Sequence, residues 1–113
     1  MSNFVKRTDE IEFNSQDLVF LDSGWIDRAK AIASNNKKKK FRTCLHFDES
    51  DDVHEMFIIH CKETYVRPHK HTGRYESLHI LEGVGTVIMF SDHGEITQAE
   101  TVGDISSPYP FYY

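Results

Sequence analysis

The strongest structural signal in the sequence is a ten-residue stretch, Arg67-Pro68-His69-Lys70-His71-Thr72-Gly73-Arg74-Tyr75-Glu76. Residues two apart on a β-strand point to the same face of the sheet, so His69 and His71 are predicted to project together. A turn over residues 72–75 would bring Glu76 back on the neighbouring strand. The stretch therefore predicts two adjacent strands whose shared face carries two imidazoles and one carboxylate.

This set of side chains is typical of a divalent metal site. As ligands, His69, His71 and Glu76 suit Fe(II), Mn, Ni, Zn or Cu, and they match in type the two-His-one-carboxylate sites with open positions. The alternative is that both histidines are loop residues beside a turn, because His-x-His alone is common. The longer pattern His-x-His-x4-Glu-x6-Gly, which ends at Gly83, favours the metal site.

Short apolar runs on both sides of this stretch predict a series of β-strands. Turn residues separate them, as in Ser91-Asp92-His93-Gly94, whose Asp and Gly suit a hairpin. Many short strands at close spacing indicate a sandwich or a barrel. The predicted strands cover residues 41–47, 53–61, 64–71, 75–82, 85–90 and 95–102.

The N-terminal third has a different character. Residues 1–17 are polar and are predicted as an arm or an edge strand, and residues 18–21 as a short strand or a packing segment. Apolar residues then recur at three- and four-residue spacing, which predicts a helix over residues 24–35 capped by Asp22 or Ser23. We therefore expect an arm and helix over residues 1–40 and a β-barrel over residues 41–113.

Composition narrows the class of protein. A chain of 113 residues is expected to form one domain, and its net charge of −5 argues against nucleic-acid binding. The longest apolar runs are far shorter than the ~20 residues that span a bilayer, and the N-terminus does not read as a signal peptide. We therefore expect a cytoplasmic protein with no membrane partner. Its two cysteines, Cys44 and Cys61, are expected to be buried rather than reactive.

The central stretch resembles the first metal-binding motif of the cupin superfamily. Within that superfamily, the sequence resembles the WbuC-type cupin-fold metalloproteins. This resemblance covers about residues 20–113 and is most specific over residues 41–94. It implies a mainly β, cupin-like antiparallel β-barrel of the jelly-roll type with a short N-terminal helix. The stretches that carry it are residues 42–46, 53–56, 65–71, 76–77 and 90–94.

Two positions depart from the cupin pattern. Cupins usually have Gly six residues before the first His of the motif, where this sequence has Glu63. Their second motif supplies another metal-binding His, but here Gly103 and Pro108 stand at its expected start and no histidine follows. The fourth ligand is thus expected to be absent or to lie beyond residue 113. We expect a barrel truncated at its C-terminus, as a fragment of a longer protein or one that closes its sheet with a partner chain.

Other residues are candidates for acid–base or ligand-binding roles. His46, His60 and Tyr65 are the candidate catalytic residues, with hydrogen-bonded or packed wall positions as the alternative. His79 is out of phase with Glu76 on a strand, so it is not expected to be a metal ligand, and His93 falls in the predicted hairpin turn.

The resemblance links the chain to bacterial surface-polysaccharide gene clusters. Together with the predicted metal ligands, the resemblance favours a metal-dependent sugar-modifying enzyme, of isomerase or epimerase type, acting on a sugar or sugar nucleotide. The alternatives are a metal-holding module that binds a small molecule without transforming it, and an Fe(II)-dependent oxygenase. A homodimer is expected, because an incomplete barrel leaves an exposed sheet edge.

Overall fold

The computed structural model describes residues 4–113, so residues 1–3 of the predicted arm lie outside the described residues. The chain is mainly β, with one short helix and six strands in the described part. It divides into two compact units, Met1–Val66 and Arg67–Tyr113. The predicted boundary between residues 40 and 41 falls within β3, a strand of the first unit.

The first unit contains a four-stranded sheet of order β1-β2-β3-β4. The antiparallel pair β1–β2 confirms that residues 1–17 include an edge strand, and β2 pairs in parallel with β3 across the helix connection. Strands β3 and β4 are antiparallel in an uninterrupted register. The bounds are β1 Phe4–Thr8, β2 Ile11–Asn14, α1 Ser23–Asn35, β3 Lys40–Cys44 and β4 Met56–His60.

Helix α1 begins where the sequence predicts. The Asp22 carboxylate accepts a hydrogen bond from the Trp25 N–H (2.9 Å), which satisfies one of the free donors of the first turn. Trp25, Ala29 and Ala33 are buried at four-residue spacing, so they form one face of the helix. Residues 18–21 form no strand; Phe20 is exposed, while Leu21 packs against the core.

The core of the first unit lies between α1 and one face of the sheet. Phe41 is buried with the three helix residues, and the Trp25 and Phe57 rings meet edge to face with centroids 5.3 Å apart. A polar network crosses the same interface, since Arg28 donates two hydrogen bonds of 2.8 Å to the Glu12 carboxylate. The Thr43 hydroxyl donates to the same carboxylate (2.7 Å), so this buried charge is well compensated.

The second unit contains an antiparallel hairpin of β5 (Val84–Phe90) and β6 (Ile96–Gly103). Its turn lies where Ser91-Asp92-His93-Gly94 predicts one, and Gly94 adopts φ 83°, a left-handed conformation that glycine tolerates. A second pairing joins residues 78–80 to residues 111–113, where Leu78 and Tyr113 exchange backbone hydrogen bonds of 2.9 and 3.1 Å.

Two predicted strands are wrong. Residues 64–71 and 75–82 form no strand of a sheet, apart from an isolated bridge between His79 and Tyr112. Pro68 lacks the N–H that a ladder requires, and Gly73 turns the chain with φ 72°. The two sheets of residues 4–113 have four and two strands, and no closed barrel is detected among them.

No helix within residues 4–113 combines the length and apolar character needed to cross a bilayer.

Candidate functional site

The loop that follows Arg67 in the second unit holds the three predicted metal ligands. His71 and Glu76 are in direct contact, with Nε2 and Oε2 3.0 Å apart. Their side chains are 49% and 53% exposed, so the pair is open to solvent. The contact is made across the turn at Thr72 and Gly73 rather than between two strands.

His69 lies beside this pair. Its ring meets the His71 ring edge to face, with centroids 5.0 Å apart and planes at 89°. Its Nδ1 is 2.8 Å from the Arg67 carbonyl oxygen, which can only accept, so Nδ1 carries the proton. In the neutral ring this leaves the His69 Nε2 lone pair free, a tautomer found in many metal-binding histidines.

The loop supplies the right kinds of donor atom but not a finished metal site. Within residues 4–113, no group of three or more His, Cys, Asp or Glu side chains is arranged to hold a metal ion. His71 directs Nε2 at Glu76, while His69 is in contact with His71 through the ring edge. An ion bound by all three side chains would require the loop to rearrange.

Tyr113 is a neighbour of this group that the sequence analysis missed. Partial burial, with the Glu76 carboxylate as a second cause, raises the pKa of the Tyr113 phenol. The backbone pairing of residues 78–80 with residues 111–113 brings it there. The aromatic run at residues 109–113 is the only sequence signal, and it does not indicate a pairing partner.

His79 lies on the same backbone pairing as Tyr113. Its ring contacts the Tyr112 ring with centroids 4.5 Å apart and planes at 74°. The expectation that His79 is not a ligand stays a prediction, and its ring contact gives it a packing role.

The three candidate catalytic residues all belong to the first unit. His46 is buried, and its Nδ1 lies 3.2 Å from both the backbone N and the carbonyl oxygen of Glu55, so it accepts from the one or donates to the other according to its tautomer. Its ring stacks on His54 with centroids 4.2 Å apart and meets the Phe13 ring edge-on. These contacts describe a packed and hydrogen-bonded histidine.

His60 and Tyr65 are open to solvent. His60 ends β4 directly opposite Lys40. Partial desolvation of the imidazole, and secondly the Lys40 ammonium, lower the pKa of His60. Tyr65 is exposed beyond β4. Both side chains can therefore reach a ligand in solution.

The first unit also has a groove of about 820 Å³ between the β1–β2 hairpin and the C-terminal half of α1. This volume is in the range of small-molecule sites. All three of its carboxylates are already paired: Asp9 with Lys6 (3.0 Å), Glu10 with Lys38 (2.8 Å) and Glu12 with Arg28 (2.8 Å). The hydrogen bond from Lys38 lowers the Glu10 pKa. The lining residues are Lys6, Thr8, Asp9, Glu10, Glu12, Ala31, Ile32, Asn35, Asn36, Lys37, Lys38 and Phe41.

Fold and site together define a mainly β protein with one short helix and an exposed loop that carries two histidines and a glutamate. The chain belongs to the family described as a domain of unknown function, DUF6016, whose model matches residues 21–102. Neither the curated proteins nor the solved structures yield a significant match.

Proposed function

We propose that this protein binds a divalent metal ion through His69, His71 and Glu76. The observation that supports the proposal is the 3.0 Å contact between His71 and Glu76, with the His69 ring adjacent to it. Two imidazoles and one carboxylate suit Fe, Mn, Ni or Zn. Because both side chains of the pair are about half exposed, an ion can reach them from solvent.

We further propose that the fold is a cupin of the WbuC type. The support is the sequence pattern around residues 67–83, together with strands that are antiparallel in both sheets apart from the β2–β3 pair. A cupin jelly roll would require further strand pairing by residues 64–82. A cytoplasmic location is proposed from the composition, and a role in surface-polysaccharide biosynthesis is proposed from the resemblance to WbuC-type cupins.

The proposed reaction is a metal-dependent modification of a sugar or sugar nucleotide, of the isomerase or epimerase kind. A bound divalent ion supplies Lewis-acid polarisation of a carbonyl or hydroxyl oxygen. Two of the candidate catalytic residues of the first unit, His60 and Tyr65, are exposed and can exchange a proton at the surface. The third, His46, is buried, and its Nδ1 is held by the backbone of Glu55.

A non-catalytic binding module is the second candidate function. The groove of about 820 Å³ in the first unit favours it, because its lining combines apolar and charged side chains that a small molecule could contact. An Fe(II)-dependent oxygenase is a third candidate, and oxygen uptake after iron is added to metal-free protein tests it directly.

Metal content is the decisive experiment. Protein purified without chelator is analysed for bound metals, and metal-free protein is titrated calorimetrically with Mn²⁺ and Zn²⁺. His69→Ala, His71→Ala and Glu76→Gln should each weaken binding at least about tenfold, since even outer-shell changes at metal sites do so. His93→Ala is the matched control, because His93 lies exposed in the hairpin turn. Equal affinity in the native protein and His71→Ala would refute the site.

Turnover separates the enzyme from the binding module. Metal-loaded protein is incubated with a panel of sugar nucleotides, and the products are followed by NMR. Conversion that disappears in His71→Ala supports the enzyme. Recovery of an unchanged sugar nucleotide that nevertheless binds calorimetrically supports the module.

A further inference from the structure

The two edges of the four-stranded sheet in the first unit differ. Edge strand β1 carries Lys6 and Arg7 and has a register irregularity between Lys6 and Thr8. Charged residues and bulges are features that keep an edge from pairing with another chain. Edge strand β4, Met56-Phe57-Ile58-Ile59-His60, has no lysine, no proline and no register shift. One edge is therefore protected, while the other is flat and apolar.

The backbone groups of β4 divide between its two sides. Leu45 N donates to Glu55 O (2.8 Å) and Cys61 N donates to Lys39 O (3.0 Å), which fixes these as hydrogen-bonded pairs of the β3–β4 ladder. Such pairs alternate along an antiparallel ladder, so Phe57 and Ile59 also bond to β3. The N–H and C=O groups of Met56, Ile58 and His60 consequently face away from β3. No other backbone group within residues 4–113 bonds to them.

The side chains of β4 are also open. Met56 and Ile58 are 38% and 45% exposed. They lie on the sheet face opposite α1, since Phe57 on the other face contacts Trp25. An accessible row of donors and acceptors thus borders exposed apolar side chains.

We propose that β4 pairs antiparallel with β4 of a second copy of this chain, centred on Ile58. This inference rests on the homodimer expected from the sequence and is independent of the proposed metal site. In that register Ile58 pairs with Ile58 of the second copy, and Met56 pairs with its His60. The pairs fall at the outward-facing residues, so all three can exchange backbone hydrogen bonds. The two sheets then form one continuous eight-stranded sheet.

Charge complementarity supports a second copy as the occupant. Residues 48–55, which precede β4, include five carboxylates: Asp48, Glu49, Asp51, Asp52 and Glu55. At the other end of β4, three lysines lie close together: Lys62 follows the strand, Lys40 of β3 pairs with His60, and Lys39 precedes β3. Glu63 is the single carboxylate at this end. A two-fold antiparallel pairing places the acidic end of one copy beside the basic end of the other, which favours this orientation.

The oligomeric state of edge variants tests the proposal. Light scattering of the native protein at micromolar concentration should give twice the chain mass of 13.2 kDa. Ile58→Lys should weaken dimerisation at least about tenfold by placing a charge at the centre of the pairing. Val5→Lys is the matched control, because it adds the same charge to an exposed position on the other edge strand. It should leave the dimer intact, and circular dichroism checks that both variants fold.

Cross-linking tests the register itself. Opposed residues of a hydrogen-bonded antiparallel pair have Cα atoms ~5.5 Å apart, which a disulfide can span. In a Cys61→Ser background, Ile58→Cys should form a disulfide-linked dimer under mild oxidation. Phe20→Cys, at an exposed site outside the sheet, should not.

The outcomes separate the two proposals. A native monomer refutes the homodimer and with it this interface. A dimer unaffected by Ile58→Lys, or cross-linked no faster through residue 58 than through residue 20, refutes the interface alone. Metal binding by Ile58→Lys is measured alongside, and its value bears only on the proposed metal site.

Discussion

The helix-covered sheet of the first unit and the hairpin of the second show two ways in which strands are stabilised. In the first unit one sheet face is closed by Trp25, Ala29 and Ala33 of α1. In the hairpin only Val102 and Gly103 are buried, although the β5–β6 register runs the full length of β5. Backbone pairing alone defines a strand, but apolar burial supplies most of its stability. Stability is therefore expected to be concentrated in the first unit.

The largest effect should come from the core of the first unit. Trp25→Ala removes the ring that packs on Phe57, and we expect a loss of about 3–5 kcal/mol in the free energy of unfolding. Urea denaturation followed by circular dichroism measures it. Phe20→Ala, at an 82% exposed ring, is the control and should change little. Equal losses in the two variants would contradict a core centred on α1.

Loss of the buried ion pair should rank second. Arg28→Met leaves the buried Glu12 carboxylate with the Thr43 hydroxyl as a partner, and we expect a cost of about 2 kcal/mol, reduced because the Arg28 side chain is 40% exposed. Lys6→Met breaks the exposed Lys6–Asp9 pair and should cost less than about 0.5 kcal/mol. Fluorescence of Trp25, the single tryptophan, follows both transitions. Equal losses of stability in Arg28→Met and Lys6→Met would show that burial does not determine how much an ion pair contributes.

Loss of the helix cap should have a smaller effect. Asp22→Ala removes the acceptor for the Trp25 N–H and should cost about 1 kcal/mol. Asp22→Ser, which can also cap, should recover most of the loss in the same urea titration. A variant Asp22→Ala with native stability would show that the cap contributes nothing.

Protonation of His60 should have a smaller effect on stability than loss of the helix cap. Its pKa in the folded protein lies below the ordinary value of 6.5, so around these two pKa values the unfolded chain binds more protons. The stability contributed by neutral His60 is present above pH 6.5 and is lost as the pH falls through the folded-state pKa. Urea midpoints at pH 7.5 and pH 5.5 should therefore differ more in the native protein than in His60→Gln. A larger difference in His60→Gln than in the native protein would contradict a lowered folded-state pKa of His60.

The smallest effect should come from the hairpin. Ile96→Ser changes an exposed side chain of β6, and the free energy of unfolding should stay within about 0.5 kcal/mol of the native value. Hydrogen exchange offers an independent comparison, since amides of β5 and β6 should exchange faster than those of α1 and β3. Slower exchange in the hairpin would mean that it is the more stable region.

Local patterns predicted much of the fold. Helix α1 and its Asp22 cap follow from apolar spacing and a capping side chain, and residues 41–47, 53–61, 85–90 and 95–102 each contain most or all of an observed strand. Residues 64–71 and 75–82 have strand-like composition, but Pro68 and the turn at Gly73 leave them without a ladder partner. The parallel pairing of β2 with β3 joins residues about 30 apart, which no local pattern can indicate.

The candidate site was predicted in part. The spacing between His71 and Glu76 indicated that they would meet, and they do so across a turn instead of a sheet. The position of Tyr113 near Glu76 depends on a backbone pairing between residues 78–80 and 111–113. That pairing is nonlocal, so the sequence alone did not reveal it. Metal binding itself stays a prediction.

Strand β2 has a practical consequence for work on the family. The region shared with the family begins at residue 21, whereas β2 ends at Asn14. Yet β2 is an interior strand, bonded to β1 on one side and β3 on the other. A recombinant fragment trimmed to the shared region would lack β2 and with it Glu12. The backbone groups of β3 that pair with β2 would then be left without partners. Such trimming would create a second unprotected border in the sheet, so aggregation of a shortened protein would reflect the cut rather than the native molecule.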